Sequence, residues 1–223
     1  MTDEQINRKI AVIFATDVVG YSKSMEHDEA QTIKNLRSCR KLLGKSLKQY
    51  DGRIFNTAGD SVLAEFSSAV SAVECAADFQ RNVRQRNQSS DNAEIMEFRI
   101  GINMGDVVID GDNLYGDGVN IAARLEALAQ PNGISISKQV YEFVQAKTDL
   151  AFNDLGMQQV KENNFHVYDI VLHPSQKRSL SKPFPFKLPM VAVAITVFAL
   201  IGAGLFYLSL APSQQEPEQL FSD

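Results

Sequence analysis

The sequence predicts an α+β protein: a mixed, mostly antiparallel sheet with helices packed on it, followed by one apolar helix near the C-terminus. Three observations carry this. Strand-like and helix-like segments alternate over the first three quarters of the chain, with hairpin turns too frequent for an all-parallel sheet. An apolar content of 44% in 223 residues supports a core of ordinary size. Residues 188–210 run without a single charge.

The first element is the stretch 10–22, IAVIFATDVVGYS. Ile10, Val12, Ile13 and Phe14 are strand formers, and the run stops at Asp17, the carboxyl end of a strand, where ligand chemistry commonly sits. Gly20 permits a tight turn, so the amides of Val18, Val19 and Gly20 are expected to form a concave cradle for anionic oxygens. Ile33, Leu36, Leu43, Leu47 and Tyr50 then recur at helical spacing up to Asp51-Gly52, which predicts a long amphipathic helix. RIFNT (53–57) and SVLAEF (61–66) read as a hairpin turning through Ala58, Gly59 and Asp60. Ser68 is placed to cap a helix along Val73, Ala76, Ala77, Gln80 and Val83.

A second hairpin is expected from FRIGINM (98–104) through Gly105-Asp106 into VVID. The chain from Gly111 to Gly118 is a Gly-, Asp- and Asn-rich loop that leads into the helix VNIAARLEALA, which ends before Pro131 and Gly133. Strands at 134–137 and 150–155 flank a helix around Tyr141 and Val144, and the closing strand FHVYDIV follows a polar loop that contains Lys161. The organisation expected is a folded domain over 1–173, a basic Pro-containing linker over 174–187, a transmembrane helix over 188–210 and a disordered polar tail over 211–223.

A net charge of −5 and a pI near 5.3 argue against nucleic acid as a partner. Cys39 and Cys75 fall in helical patterns and read as reduced thiols, and no zinc-type spacing is present. The N-terminus lacks the features of a signal peptide. Lys177, Arg178, Lys182 and Lys187 precede the apolar stretch, whereas Glu216, Glu218 and Asp223 follow it. The positive-inside rule therefore puts the N-terminal domain on the cytoplasmic side of the cell membrane and the tail outside. Ala199 and Ala203 form a small-xxx-small spacing suited to pairing two such helices.

Asp17 and Asp60 each close a hydrophobic strand. If those strands are neighbours, the two carboxylates meet at one sheet edge, as a magnesium pair bound to a nucleoside triphosphate requires, with the Val18 carbonyl as a further oxygen ligand. Each is also an ordinary turn residue. Asn120 and Arg124 are four apart on the helix that follows the Gly-rich loop and so share a face, a good arrangement for gripping a sugar and a phosphoryl oxygen.

Taken together, FATDVVGYS, NTAGDSVLAEF, RIGINMGDVV, YGDGVNIAARLEALA and DLGMQQVKE resemble, in order, the catalytic domain of class III nucleotidyl cyclases, the adenylate and guanylate cyclase family. The resemblance covers about residues 8–172. It implies a ferredoxin-like α+β fold acting as a head-to-tail homodimer with active sites shared between subunits. It also implies Mg²⁺ or Mn²⁺, two per site, on Asp17 and Asp60; a ribose-orienting Asn120; a transition-state Arg124; and a triphosphate-binding Lys161.

The sequence departs from the family where the base is selected. Adenylate-forming members typically carry a Lys four residues before the second metal Asp and an Asp three before the Gly that opens the helix; here Asn56 and Asn113 stand there. Two amides satisfy the N6 donor and N1 acceptor of adenine but also suit other bases. Asp112 takes over the acceptor role if the loop shifts by one residue. The Glu and Cys of guanylate-type members are absent too, so by analogy the reading favours ATP. The alternatives are a cyclase for guanine or a pyrimidine, and a non-catalytic nucleotide-binding or dimerisation module at the membrane.

Overall fold

The computed structural model describes residues 6–89, 95–160 and 163–178. The apolar run becomes β1 (Asn7–Val18), which lies inside a sheet with β2 (Arg53–Ala58), β3 (Ser61–Phe66), β4 (Phe98–Asp110), β5 (Asn113–Tyr115), β6 (Ile134–Ser137), β7 (Ala151–Val160) and β8 (Asn163–Val171). The order is β2-β3-β1-β4-β6-β8-β7, with β5 paired to β4. Among the described residues only the β4–β6 pairing is parallel. This is the mixed, mostly antiparallel sheet of an α+β domain that the alternation of elements predicts.

The two faces of the sheet differ in side-chain size, and that difference positions the site. Val12, Phe14, Val62, Phe66, Phe98, Ile100 and Ile102 pack with α2 (Glu29–Gln49), α3 (Ala69–Ser89) and α5 (Lys138–Val144) in the larger core. The opposite face carries Ala11, Ile13, Ala15 and Val107, which pack with Val119 and Ala122 of α4 (Asp117–Leu128). Small residues let α4 approach closely. A Cβ on Gly101 would stand 2.1 Å from the Glu126 amide nitrogen and 2.2 Å from the Ala122 carbonyl oxygen, so only glycine fits between β4 and this helix.

Four details differ from the sequence-based reading. The helix after Gly20 is two helices, α1 (Tyr21–His27) and α2, because Asp28 is extended and its side chain caps α2 at the Gln31 N–H, 3.0 Å away. No turn occurs at Gly105-Asp106: β4 runs unbroken, with Gly105 opposite Ala11 and Asp106 opposite Ile10. Gly105 is needed for packing, since a Cβ there would come within 3.3 Å of the Gly118 Cα at the start of α4. The actual reversal is at Gly111-Asp112, where Asp110 pairs with Asn113 and Gly111 has φ +56°. Finally, residues 174–178 are fastened to the domain: Arg178 holds Asp169 at 2.7 Å and donates to the Leu128 carbonyl at 2.7 Å.

Ser68 caps α3 as expected, accepting from Ser71 N–H at 3.3 Å. Cys39 and Cys75 are both buried thiols. The apolar stretch 188–210 and the tail lie outside the described residues, and among the described residues no helix is long and apolar enough to cross a membrane.

Candidate active site

Because β1 and β3 are antiparallel neighbours, with Thr16 opposite Val62, the turn before β3 comes back to the carboxyl end of β1. Asp60 sits in that turn, and its Oδ2 accepts the Val18 N–H at 2.9 Å. Asp60 and Asp17 thus stand at the same end of the β1–β3 pair. Arg40 of α2 donates to the Gly59 carbonyl and steadies the turn from the other side. The expected cradle of amides is altered by the same contacts. Val18 N–H is engaged by Asp60, and Val19 N–H by the Glu97 carbonyl at 2.9 Å, because strand pairing with β4 continues past Asp17. Gly20 does make the expected turn, at φ +68°.

Residues of β1 with odd numbers face α4, and Asp17 follows Ala11, Ile13 and Ala15 on that side. Directly across the ladder stands Arg99. Its Nε and Nη2 donate to Asp17 Oδ1 and Oδ2 at 3.1 and 2.6 Å. Glu126, on α4, completes the cluster: its Oε1 lies 3.1 Å from Arg99 Nε, but the angle makes no hydrogen bond, so this buried oxygen has no hydrogen-bond partner. Burial, and then hydrogen bonding to Asp17 and its charge, push the Glu126 carboxyl up to about 8, against the opposing pull of Arg99. The Arg99 guanidinium is in turn held more firmly charged, chiefly by its hydrogen bonds to Asp17. Neither Arg99 nor Glu126 was singled out from sequence. The available signal was a lone cation within the apolar strand pattern 98–104, in a register fixed only once β1 and β4 pair.

The oxygen donors here suit a hard divalent cation. Mg²⁺ is usually held by one or two carboxylates plus substrate phosphates, which is what Asp17 and Asp60 offer. Among the described residues no group of three or more His, Cys, Asp or Glu is arranged to hold a metal without a substrate.

The other candidates lie on and beside α4. Asn120 is exposed and Arg124, one turn on, is half-buried, with its guanidinium carbon 6.0 Å from the ring centre of Phe165 on β8. Asn56 and Asn113 meet: Asn56 Nδ2 lies 3.5 Å from Asn113 Oδ1. A β-bulge between Ile54 and Asn56 sets the direction of Asn56, and Phe55 at the bulge is buried with Leu114. The one-residue shift that would put Asp112 in the place of Asn113 does not occur, since Asn113 is paired with Asp110 and Asp112 lies in the turn. Lys161 lies outside the described residues, between the end of β7 and the start of β8. A cavity of about 510 Å³ beside Asn103, Asp106, Asp117, Lys138 and His166 contains none of these residues.

A sheet of this order, with two carboxylates at the end of β1 and an Asn–Arg pair on the helix packed over it, defines a nucleotidyl cyclase domain. Comparison with known proteins agrees. Residues 2–172 match the adenylate and guanylate cyclase catalytic domain, and the chain belongs to that family. It is 42% identical over 171 residues, 75% of its length, to the Rhizobium meliloti (strain 1021) protein called “Putative adenylate cyclase 3”, of which the match spans 29%. Among solved structures, the adenylate/guanylate cyclase/hydrolase from Silicibacter pomeroyi is 36% identical with a TM-score of 0.70, covering 75% of this chain and 99% of that one. The adenylyl cyclase CyaB from P. aeruginosa, 24% identical with a TM-score of 0.66 over 78% and 100% of the two chains, shares the fold.

Proposed function

We propose that this chain is a membrane-anchored adenylate cyclase that converts ATP to 3',5'-cyclic AMP and pyrophosphate in a head-to-tail homodimer. The observation that carries the reading is the division of the candidate residues between the end of β1 and the elements α4, β2 and β5. Asp17 and Asp60 lie at the end of β1, whereas Asn56 meets Asn113 between β2 and β5, and Asn120 and Arg124 lie one turn apart on α4. Each group is half of a cyclase site, and a second chain turned end for end supplies the other half. The likeness to the Rhizobium meliloti protein called “Putative adenylate cyclase 3” supports ATP as the substrate. The 188–210 stretch is assigned as the anchor from its composition, with the domain on the cytoplasmic side.

The reaction forms a bond between the ribose 3'-oxygen and the α-phosphorus and breaks the bond from that phosphorus to the bridging oxygen of pyrophosphate. The 3'-hydroxyl gives its proton to solvent water, and pyrophosphate leaves with the electron pair of the broken bond. Asp17 and Asp60 would hold Mg²⁺ or Mn²⁺, which would supply charge neutralisation at the phosphates and lower the pKa of the hydroxyl. Asn120 holds the ribose so that the 3'-oxygen points at phosphorus. Arg124, whose guanidinium stands over Phe165, is assigned the α-phosphoryl oxygens, where charge grows in the transition state. Lys161 is assigned the departing triphosphate end, and Asn56 with Asn113 the edge of adenine.

Mixing two inactive variants tests the shared site. Asp17→Ala and Arg124→Ala are each expected to lose turnover while remaining folded and dimeric. Their mixture is expected to regain part of it, because one of the two sites in a mixed dimer carries both intact halves. No recovery from a mixture shown to contain mixed dimers would exclude shared sites.

A further inference from the structure

The two asparagines of the base site come from different parts of the chain, one on β2 beyond a bulge and one on the three-residue strand β5. A strand that short, reached through the two-residue turn Gly111-Asp112, has little of its own to hold it against β2. Besides the contact of the asparagines themselves, Arg53, at the start of β2, bridges the two. Its Nη1 donates to the carbonyl of Asp112 at 2.9 Å, and its Nε is held by Glu65 Oε1 at 2.6 Å. Glu65 is itself fixed: its side chain is only 14% exposed, and its second oxygen meets Lys9 Nζ at 2.5 Å. The arginine is thus anchored at the sheet and reaches out to the turn that carries Asn113.

We propose that Arg53 is a positioning residue for base selection, a strut that fixes the β4–β5 turn in the register that sets Asn113 opposite Asn56. The proposal rests on the reading of that pair as the base site. The geometry supports it in two ways. The bond is to the backbone of Asp112, so it acts on the register of the turn rather than on any one side chain. It also opposes the shift that would bring Asp112 into the position of Asn113, since such a shift carries the Asp112 carbonyl away from a guanidinium that Glu65 holds in place. Phe55 and Leu114, packed in the same small core, tie the strands together beneath the strut without setting which polar group faces the base.

The experiment compares kcat/KM for ATP and for GTP in the full chain, its Arg53→Ala and Arg53→Lys variants, and the Asn56→Lys/Asn113→Asp double variant, with melting temperatures alongside. Loss of one charge-assisted hydrogen bond is expected to move the ATP-to-GTP ratio of Arg53→Ala toward unity by about tenfold. Arg53→Lys, which keeps the charge and one donor, is expected to restore part of the ratio. A ratio that stays put in Arg53→Ala while the double variant shifts it overturns the proposal and leaves the base site standing. Equal losses on both nucleotides also overturn it, since a strut that merely stabilises the fold acts on both alike. If the double variant leaves the ratio unmoved, the reading of the asparagine pair fails, and the proposal with it.

Discussion

Arg99 stands opposite Asp17 across the β1–β4 ladder and holds both of its carboxylate oxygens, at 3.1 and 2.6 Å. A carboxylate held at both oxygens is fixed in direction, at the cost of sharing its charge with a guanidinium. The pair lies under α4, so the same arginine also reaches Glu126 on the helix that carries Asn120 and Arg124.

If Arg99 aims Asp17, removing it weakens metal binding itself. Arg99→Ala is expected to lower the affinity of the nucleotide-free chain for Mn²⁺ by about 10–100-fold, the usual consequence of losing an outer partner of a ligand. Electron paramagnetic resonance titration with Mn²⁺ measures this without turnover. An unchanged affinity would mean that Asp17 is oriented without Arg99.

Glu126 gives a dependence of stability on pH. Its carboxyl is raised from 4.5 to about 8 in the folded chain, so as pH rises the unfolded chain gives up this proton first. Across that window the folded state binds more protons, and stability therefore falls; the contribution is whole below the lower value and gone above the upper. In chelator, Glu126→Gln is expected to gain in melting temperature over the unaltered chain between about pH 5 and about pH 8. An offset that stays constant with pH would contradict this.

Gly101 is the point where α4 rests on the sheet. Its Cβ position is 2.1 and 2.2 Å from backbone atoms of Glu126 and Ala122, which cannot turn aside as a side chain would. Gly101→Ala is expected to lower stability by about 1–3 kcal/mol and to cost turnover as well, because the displaced helix carries Asn120 and Arg124. Urea unfolding and turnover measured together test both; a stable variant with full turnover would show that α4 tolerates the shift.

What was legible in the sequence was what local pattern determines. The hairpin that presents Asp60, the buried strand ending at Asp17 and the shared face of Asn120 and Arg124 all follow from spacings within a few residues. Gly105 was misread for an instructive reason. A Gly-Asp pair signals a turn when only its neighbours are considered, but here the glycine makes room for Gly118 at the start of α4. Arg99, Glu126 and Arg53 escaped notice because their partners are remote: Asp17 is 82 residues from Arg99, and Asp112 is 59 from Arg53. Such pairs exist only after register is set. Engagement of the Val18 and Val19 amides is of the same kind, since it depends on a turn and a strand end contributed by β3 and β4.

Product analysis tests the central claim most directly. The full chain is incubated with Mg²⁺ or Mn²⁺ and each of the four ribonucleoside triphosphates in turn, and products are read by mass spectrometry. The account expects cyclic AMP and pyrophosphate from ATP, and their loss in Asp17→Ala. A cyclic product from GTP or a pyrimidine triphosphate instead would keep the chemistry and overturn the assignment of the base. No cyclic nucleotide from any of the four would contradict the account.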